Sequence, residues 1–265
     1  MEEICVSTWR ELHELLFDET WQPSICRFRS NLAYRGRADA RHDLRTSLIR
    51  LGGDLCAIEG HLLRNFRKYA SPASVPKDSV WNWLALGQHH GLPTRLLDWT
   101  FSPYVALHFA TCDLGRMDVD GVVWTIDYVR VHELAPKALR SALDSEGANV
   151  FTTEMLEQTC RNLHGLEGFS TRPFVVFVEP PSFDDRIINQ YALFSLASRA
   201  DVLLNDWLAD HPDLARRIVI PASLKWEVRD KLDQANVTER VLFPGLDGLC
   251  GWLARHYLPR EVEKG

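Results

Sequence analysis

A chain of 265 residues, 46% apolar and 25% charged, has the composition of an ordinary globular protein and suffices for one large domain or two small ones. Its formal charge of −6 excludes bulk attraction to nucleic acid through a basic surface, so only a local arginine cluster is left to hold phosphate. No run approaches the roughly 20 consecutive apolar residues of a membrane span, and the acidic start MEEICVSTWRELHELL lacks a signal-peptide pattern, so a cytoplasmic location without a membrane partner is expected.

Ser7-Thr8 ahead of Trp9, Leu12, Leu15 and Leu16 predicts an N-capped helix over 8–18. The segment 24–34, SICRFRSNLAY, predicts an extended run, with Gly36 turning the chain after Arg35. Arginines 37, 41, 45 and 50 then mix with Asp39 and Asp43 in a solvated or phosphate-facing loop. Leu62, Leu63 and Phe66 predict a helix over 59–69, which PASVPK (72–77) breaks before a second helix over 80–89. His90-Gly91-Leu92-Pro93 is a turn, and Ser102-Pro103 opens a helix over 104–110 with serine as N-cap and proline at N1. One compact polar loop is expected to join these two helices.

Downstream, strands are predicted at 122–128, 174–178, 192–197 and 217–221, and helices near 134–145, 152–163, 200–209, 222–235 and 247–256. Their alternation without a repeat or linker points to a single α+β (mixed α/β) domain, with a small, largely antiparallel or mixed sheet flanked by helices. Trp124 and Trp226 read as core. Cys5, Cys26, Cys56, Cys112, Cys160 and Cys250 form no CxxC pair, so no metal site is expected, and they read as reduced, mostly buried thiols.

The chemistry concentrates in Trp81–Ala110, WNWLALGQHHGLPTRLLDWTFSPYVALHFA. Polar groups set among apolar residues must find hydrogen-bond partners or cost about 1–3 kcal/mol each, so this stretch is a rigid network or a pocket lining. In one reading His89, His90 and Asp98 supply general acid, base and orienting carboxylate for a phosphoester hydrolase or nuclease, with Arg95 or Arg35 on the phosphate. In a plainer reading the histidines cap a helix and Arg95–Asp98 is a buried ion pair bracing the loop. A third reading is a binding module, with Trp81, Trp83 and Trp99 stacking on a base and arginines 35, 37, 41 and 45 on phosphates. Aromatic residues at helical spacing are more often core.

Tyr34-Arg35-Gly36, the run from Gly87-Gln88-His89-His90-Gly91 through Pro93 to Thr100, Ser102-Pro103, Arg186…Gln190…Phe194 and Leu242–Leu249 together resemble the FRG domain family. The resemblance spans residues 10–256 and leaves 1–9 and 257–265 as terminal extensions. Two positions depart from the pattern: Tyr34 replaces the eponymous phenylalanine, and Ala192 stands where Gln-x-Gly-x-Phe has glycine.

The order of elements more distantly resembles mono-ADP-ribosyltransferases, which implies a transferase-like fold with NAD as substrate. On that resemblance Arg35 holds the pyrophosphate, Thr94 or Ser102 orients the nicotinamide ribose, and Gln190 positions the ribose as an oxocarbenium-like centre develops. Tyr34, Gly36, His89, Arg95 and Asp98 complete the implied nucleotide pocket, and Arg35, His90 and Gln190 carry the implied chemistry. The implied acceptor is nucleic acid or protein, and the implied role a toxin or phage-defence effector. Ala192 occupies the place of those transferases' glutamate; Glu179 is another source of a carboxylate, and a non-catalytic protein stays open. Arg186 and Gln190, four apart, are either pocket members or a surface pair.

Overall fold

In the computed structural model, which describes residues 1–259, the chain starts with β1 (Glu2–Cys5) and α1 (Trp9–Phe17). A small hairpin of β2 (Trp21–Gln22) and β3 (Arg27–Phe28) precedes β4 (Leu32–Arg37), α2 (Ser47–Leu51), α3 (Leu55–Tyr69) and α4 (Val80–His89). Next come β5 (Leu96–Thr100), α5 (Pro103–Thr111), β6 (Gly121–Asp127), α6 (Tyr128–Glu133), α7 (Lys137–Glu146) and β7 (Phe151–Thr152). The second half adds α8 (Thr153–Thr159), α9 (Leu163–Glu167), β8 (Val175–Glu179), α10 (Asp185–Asn189), β9 (Ala192–Ala197), α11 (Leu204–Ala209) and β10 (Ala215–Ile220). Three helices, α12 (Ala222–Gln234), α13 (Glu239–Leu242) and α14 (Leu246–His256), follow.

The mixed α/β class is as expected, but the sheet is not small. Eight strands run in the order β1-β10-β6-β4-β5-β9-β8-β7, with parallel pairs only at its two edges, β1 on β10 and β7 on β8. Alternation along the strands explains how one sheet carries three cores. Val122, Trp124 and Ile126 of β6, Leu97 and Trp99 of β5 and Val175 and Phe177 of β8 share one face and one continuous cluster. The opposite face carries two. Tyr34, Val123 and Ile218 pack there with α1, α5 and α12, whereas Leu96, Phe194 and Val176 pack with α4, α7 and α8.

The gap between those two cores coincides with a split in the sheet. β4 pairs with β6 at six positions and β5 with β9 at five, but β4 and β5 meet at the single pair Tyr34↔Thr100. Beyond that pair the strands part.

Several sequence expectations change accordingly. The presumed loop between α4 and α5 contains β5, a central strand, because Leu96, Leu97 and Trp99 bury on both faces while Arg95 and Asp98 disguise the run. Gly36 is no turn. It lies within β4 beneath α5, where a Cβ would stand 1.8 Å from the Ala106 carbonyl oxygen, so only glycine lets helix and strand approach. Residues 2–5, outside the expected domain, form edge strand β1, and positions 260–265 of the expected C-terminal extension lie outside the described residues. Cys5, Cys26, Cys56 and Cys250 are exposed and Cys160 buried, so most thiols face solvent. Trp226 is half-buried on α12 and is not a core residue. Among the described residues no helix is long and apolar enough to cross a membrane.

Candidate functional site

Where β4 and β5 part, a cleft of about 610 Å³ opens, walled by β4, β5 and β9, the end of α4, α10 and Phe109 of α5. That volume falls within the range of small-molecule sites. Arg35, His89, His90, Asp98, Arg186 and Gln190 all line it, so the structure brings together Arg35 and His90, 55 residues apart in sequence.

Arg35 reaches across the split. Its Nη1 donates to the Asp98 main-chain carbonyl, which the parted strands deprive of a ladder partner, and lies 3.8 Å from an Asp98 carboxylate oxygen. Its buried Nε has no hydrogen-bond partner among the described residues, nor have those of Arg37 and Arg186 in the same cleft. Burial, with the Arg37 and Arg50 guanidiniums, pushes Arg35 down to about 10, though the opposing Asp98 charge keeps it cationic at neutral pH. Burial also lowers Arg37, and Arg50 and Arg116 add to that effect. The cleft therefore gathers more positive charge than its protein partners neutralise.

The histidines sit where α4 ends. Ser79 caps its start by accepting from Asn82 N at 3.2 Å, and its end folds back through Leu92 N to Gly87 O at 2.8 Å, with Gly91 at φ 82° making the turn. This termination throws the His89 and His90 rings to the cleft, edge-to-face with centroids 5.1 Å apart. The carboxylate that orients His89 is Asp184: Nε2 lies 2.7 Å from Asp184 Oδ2. Asp184 Oδ1 accepts from Ile187 N at 3.1 Å, so one carboxylate both caps α10 and fixes the ring. Burial opposes its ionisation, but the His89 bond and the α10 amides hold Asp184 below the usual carboxylate range. Asp98 belongs to Gln88, whose Nε2 donates to both carboxylate oxygens at 3.0 Å while Oε1 accepts from Thr94 Oγ1. The expected His89–His90–Asp98 grouping is thus replaced by two separate pairs.

The expected Arg95–Asp98 brace is likewise absent from the described residues. Arg95, just ahead of β5, turns inward to a buried clamp with Glu59, Nη2 to Oε2 at 2.5 Å and Nε to both oxygens at 2.9 and 3.0 Å, whereas Asp98 within β5 faces the cleft. Glu167 and the Ser198 carbonyl complete its shell. Arg95 and Thr94 are fully interior and stand outside the cleft wall. Ser102 caps α5 by accepting from Val105 N at 3.3 Å. Tyr34 lends the cleft its backbone, since its ring is in the core and its hydroxyl donates to Leu16 O at 3.0 Å.

Gln190 reaches the cleft wall, but its Nε2 donates to Leu242 O at 2.9 Å and its carbonyl accepts from Thr100 Oγ1 at 2.7 Å, so it clasps α13 to the sheet. Arg186 also lines the cleft, stacking on Phe243 at 5.2 Å with Nη1 donating to His89 O at 3.5 Å, so it and Gln190 do not form a surface pair. Ala192 lines the cleft. Glu179 ends β8, outside the cleft wall, with burial raising its carboxyl. Trp81 and Trp83 are buried and donate to Cys160 O and Asp78 Oδ1, and Trp99, 3% exposed, donates to Ser195 Oγ, so these rings are core and not stacking platforms. Arg41 and Arg45 turn to Asp39 and Asp43.

Sequence reasoning missed Gln88, Glu59 and Asp184. Glu59 had one signal, its place four residues before Leu63 on the apolar face of α3, where a carboxylate requires a buried cation. Asp184 had the N-cap spacing to Ile187.

Residues 30–118 match the family model of the FRG domain, a span that runs from β4 through α4 and β5 to α5 and carries Arg35, Arg37, His89, His90 and Asp98 of the cleft but not Arg186 or Gln190. Comparison with curated proteins and with solved structures gave no match.

Proposed function

With residues 30–118 an FRG domain, we propose that the split-sheet cleft binds a nucleotide by its phosphates and that the protein is an ADP-ribosyltransferase using NAD as substrate. The observation that carries this reading is the trio Arg35, Arg37 and Arg186, each with a buried Nε unspent on protein, around one cavity of ligand size. Guanidiniums left in this state are matched by the paired oxygens of a pyrophosphate. Arg35 and Arg37, two apart on β4, take adjacent phosphates, and Arg186 closes from α10.

In this proposal Ala192 leaves the late strand without a carboxylate, and Asp98 supplies the negative charge beside the ribose. It is 60% exposed in the cleft and held by Gln88, so it stabilises positive charge growing at the ribose C1′ as nicotinamide leaves. Gln190 serves as the clasp on α13, and His90 stands at the rim of the acceptor side. Nucleic acid or protein is the acceptor, and a toxin or phage-defence role is the corresponding biological setting.

The His89–Asp184 pair also suits a phosphoester hydrolase, which makes a direct comparison necessary. Calorimetric titration with NAD, alongside label transfer from NAD and a nuclease assay, separates the two readings. NAD binding and label transfer, both weakened in Arg35→Ala, are expected; absence of NAD binding with nuclease activity present would favour the hydrolase.

A further inference from the structure

The cleft contains one side chain built as a base. His89 Nε2 is engaged by Asp184 at 2.7 Å, and Asp184 is held as a carboxylate, so in the neutral ring Nε2 carries the proton and Nδ1 the lone pair. Nδ1 makes no hydrogen bond among the described residues, and His89, its side chain 7% exposed, lines the cleft. The remaining titratable groups there are otherwise committed. Arg35, Arg37 and Arg186 are cations, both Asp98 oxygens accept from Gln88, and His90 lacks an orienting carboxylate.

We propose that His89 is the general base that activates the acceptor in this cleft, with Asp184 as its positioning residue. The inference rests on the transferase reading and deepens it. The acceptor class is a hydroxyl-bearing nucleophile, including water. Its oxygen bonds to the ribose C1′ of NAD as the C1′–N bond breaks, the bonding pair leaves with nicotinamide, and the O–H proton passes to His89 Nδ1. The imidazolium then formed is stabilised by Asp184, as a carboxylate-held histidine is in acyl-transfer sites. This arrangement gives the chain a proton acceptor although Ala192 provides none.

The test uses the full chain with NAD as the probe and water as the acceptor, reading nicotinamide release and, separately, NAD affinity by calorimetry. His89→Gln keeps a donor to Asp184 and so preserves the fold, while His89→Ala leaves room for added imidazole. Both are expected to lower kcat by about 100-fold or more, the general-base range, with the Kd for NAD within about twofold, and imidazole is expected to restore turnover in His89→Ala. Asp184→Asn is expected to lower kcat by a smaller factor at similar Kd. Unchanged kcat in the His89 variants, a fall that imidazole does not restore, or a parallel loss of NAD affinity overturns the proposal. So does wild-type protein that binds NAD without releasing nicotinamide. Failure of the wild type to bind NAD instead removes the nucleotide reading itself, and the base with it.

Discussion

Arg35 on β4 donates to the main-chain carbonyl of Asp98 on β5, bridging the two strands just past Tyr34↔Thr100, their last common pair. In a continuous sheet that carbonyl would meet a backbone N–H. The guanidinium spans a gap the backbone cannot, while its buried Nε keeps no hydrogen-bond partner among the described residues. One residue therefore both tolerates the split and equips it.

Removing that group is expected to weaken nucleotide binding without unfolding the protein. Charged hydrogen bonds contribute about 1.5–3 kcal/mol each, so Arg35→Ala should raise the Kd for NAD by about 10- to 150-fold. Arg35→Lys restores charge but not the fork and should recover only part of the affinity. Calorimetry checks both, and an unchanged Kd in Arg35→Ala would remove Arg35 from the binding site.

The two polar residues flanking Leu96-Leu97 should differ sharply in stability. Arg95 and Glu59 are buried against each other, and breaking such a pair costs about 3–5 kcal/mol, so Glu59→Gln and Arg95→Ala should lower the urea midpoint strongly. Asp98 is mostly exposed, and Asp98→Asn should cost no more than about 1 kcal/mol. A reversed ranking would mean that Asp98, not Glu59, braces this segment.

That contrast shows what the sequence made legible. Caps and turns were readable because their determinants are local: Ser102-Pro103 opens α5 and His89–Gly91 closes α4 as the spacing implied. The cleft's membership was readable in part, since Arg35, His90, Asp98 and Gln190 do converge. The pairings were not. Arg95 with Asp98 follows from proximity in sequence, but Arg95, just ahead of β5, is claimed by Glu59 of α3, while Asp98, within a strand that its polar residues hide, faces the cleft and Gln88. Glu59 and Asp184 act over 36 and 95 residues of separation, which no local pattern encodes.

Gly36 should be intolerant of any side chain. The 1.8 Å approach to Ala106 O involves backbone on both sides, so Gly36→Ala forces β4 and α5 apart and should reach or exceed the upper end of overpacking costs, about 3 kcal/mol. Gly91, where a Cβ meets no atom within 4 Å, carries only the strain of φ 82°, and Gly91→Ala should cost about 1–2 kcal/mol. Thermal unfolding of the two variants checks the order.

Acid should destabilise the fold before its carboxylates titrate. His132 Nδ1 donates to Asn149 O at 2.9 Å while Nε2 accepts from Phe177 N at 2.8 Å, so the buried ring is neutral and burial depresses it to about 4. Burial and the neighbouring Arg229 guanidinium push His108 to about 3. Both folded values lie below the ordinary 6.5, so their stabilisation is complete above 6.5 and is lost as pH falls through 6.5 towards 4 and 3. Each should contribute a loss of about 2 kcal/mol between pH 7 and pH 5, read from urea midpoints. Glu239 acts in another window. Burial opposes its ionisation, but the Arg255 bond holds it at about 2, so its contribution fades only below its ordinary 4.5. His132→Gln, which keeps an amide donor and acceptor but cannot titrate, should flatten the decline between pH 7 and pH 5; an equally steep decline would show that His132 does not enter the folded state as the neutral ring.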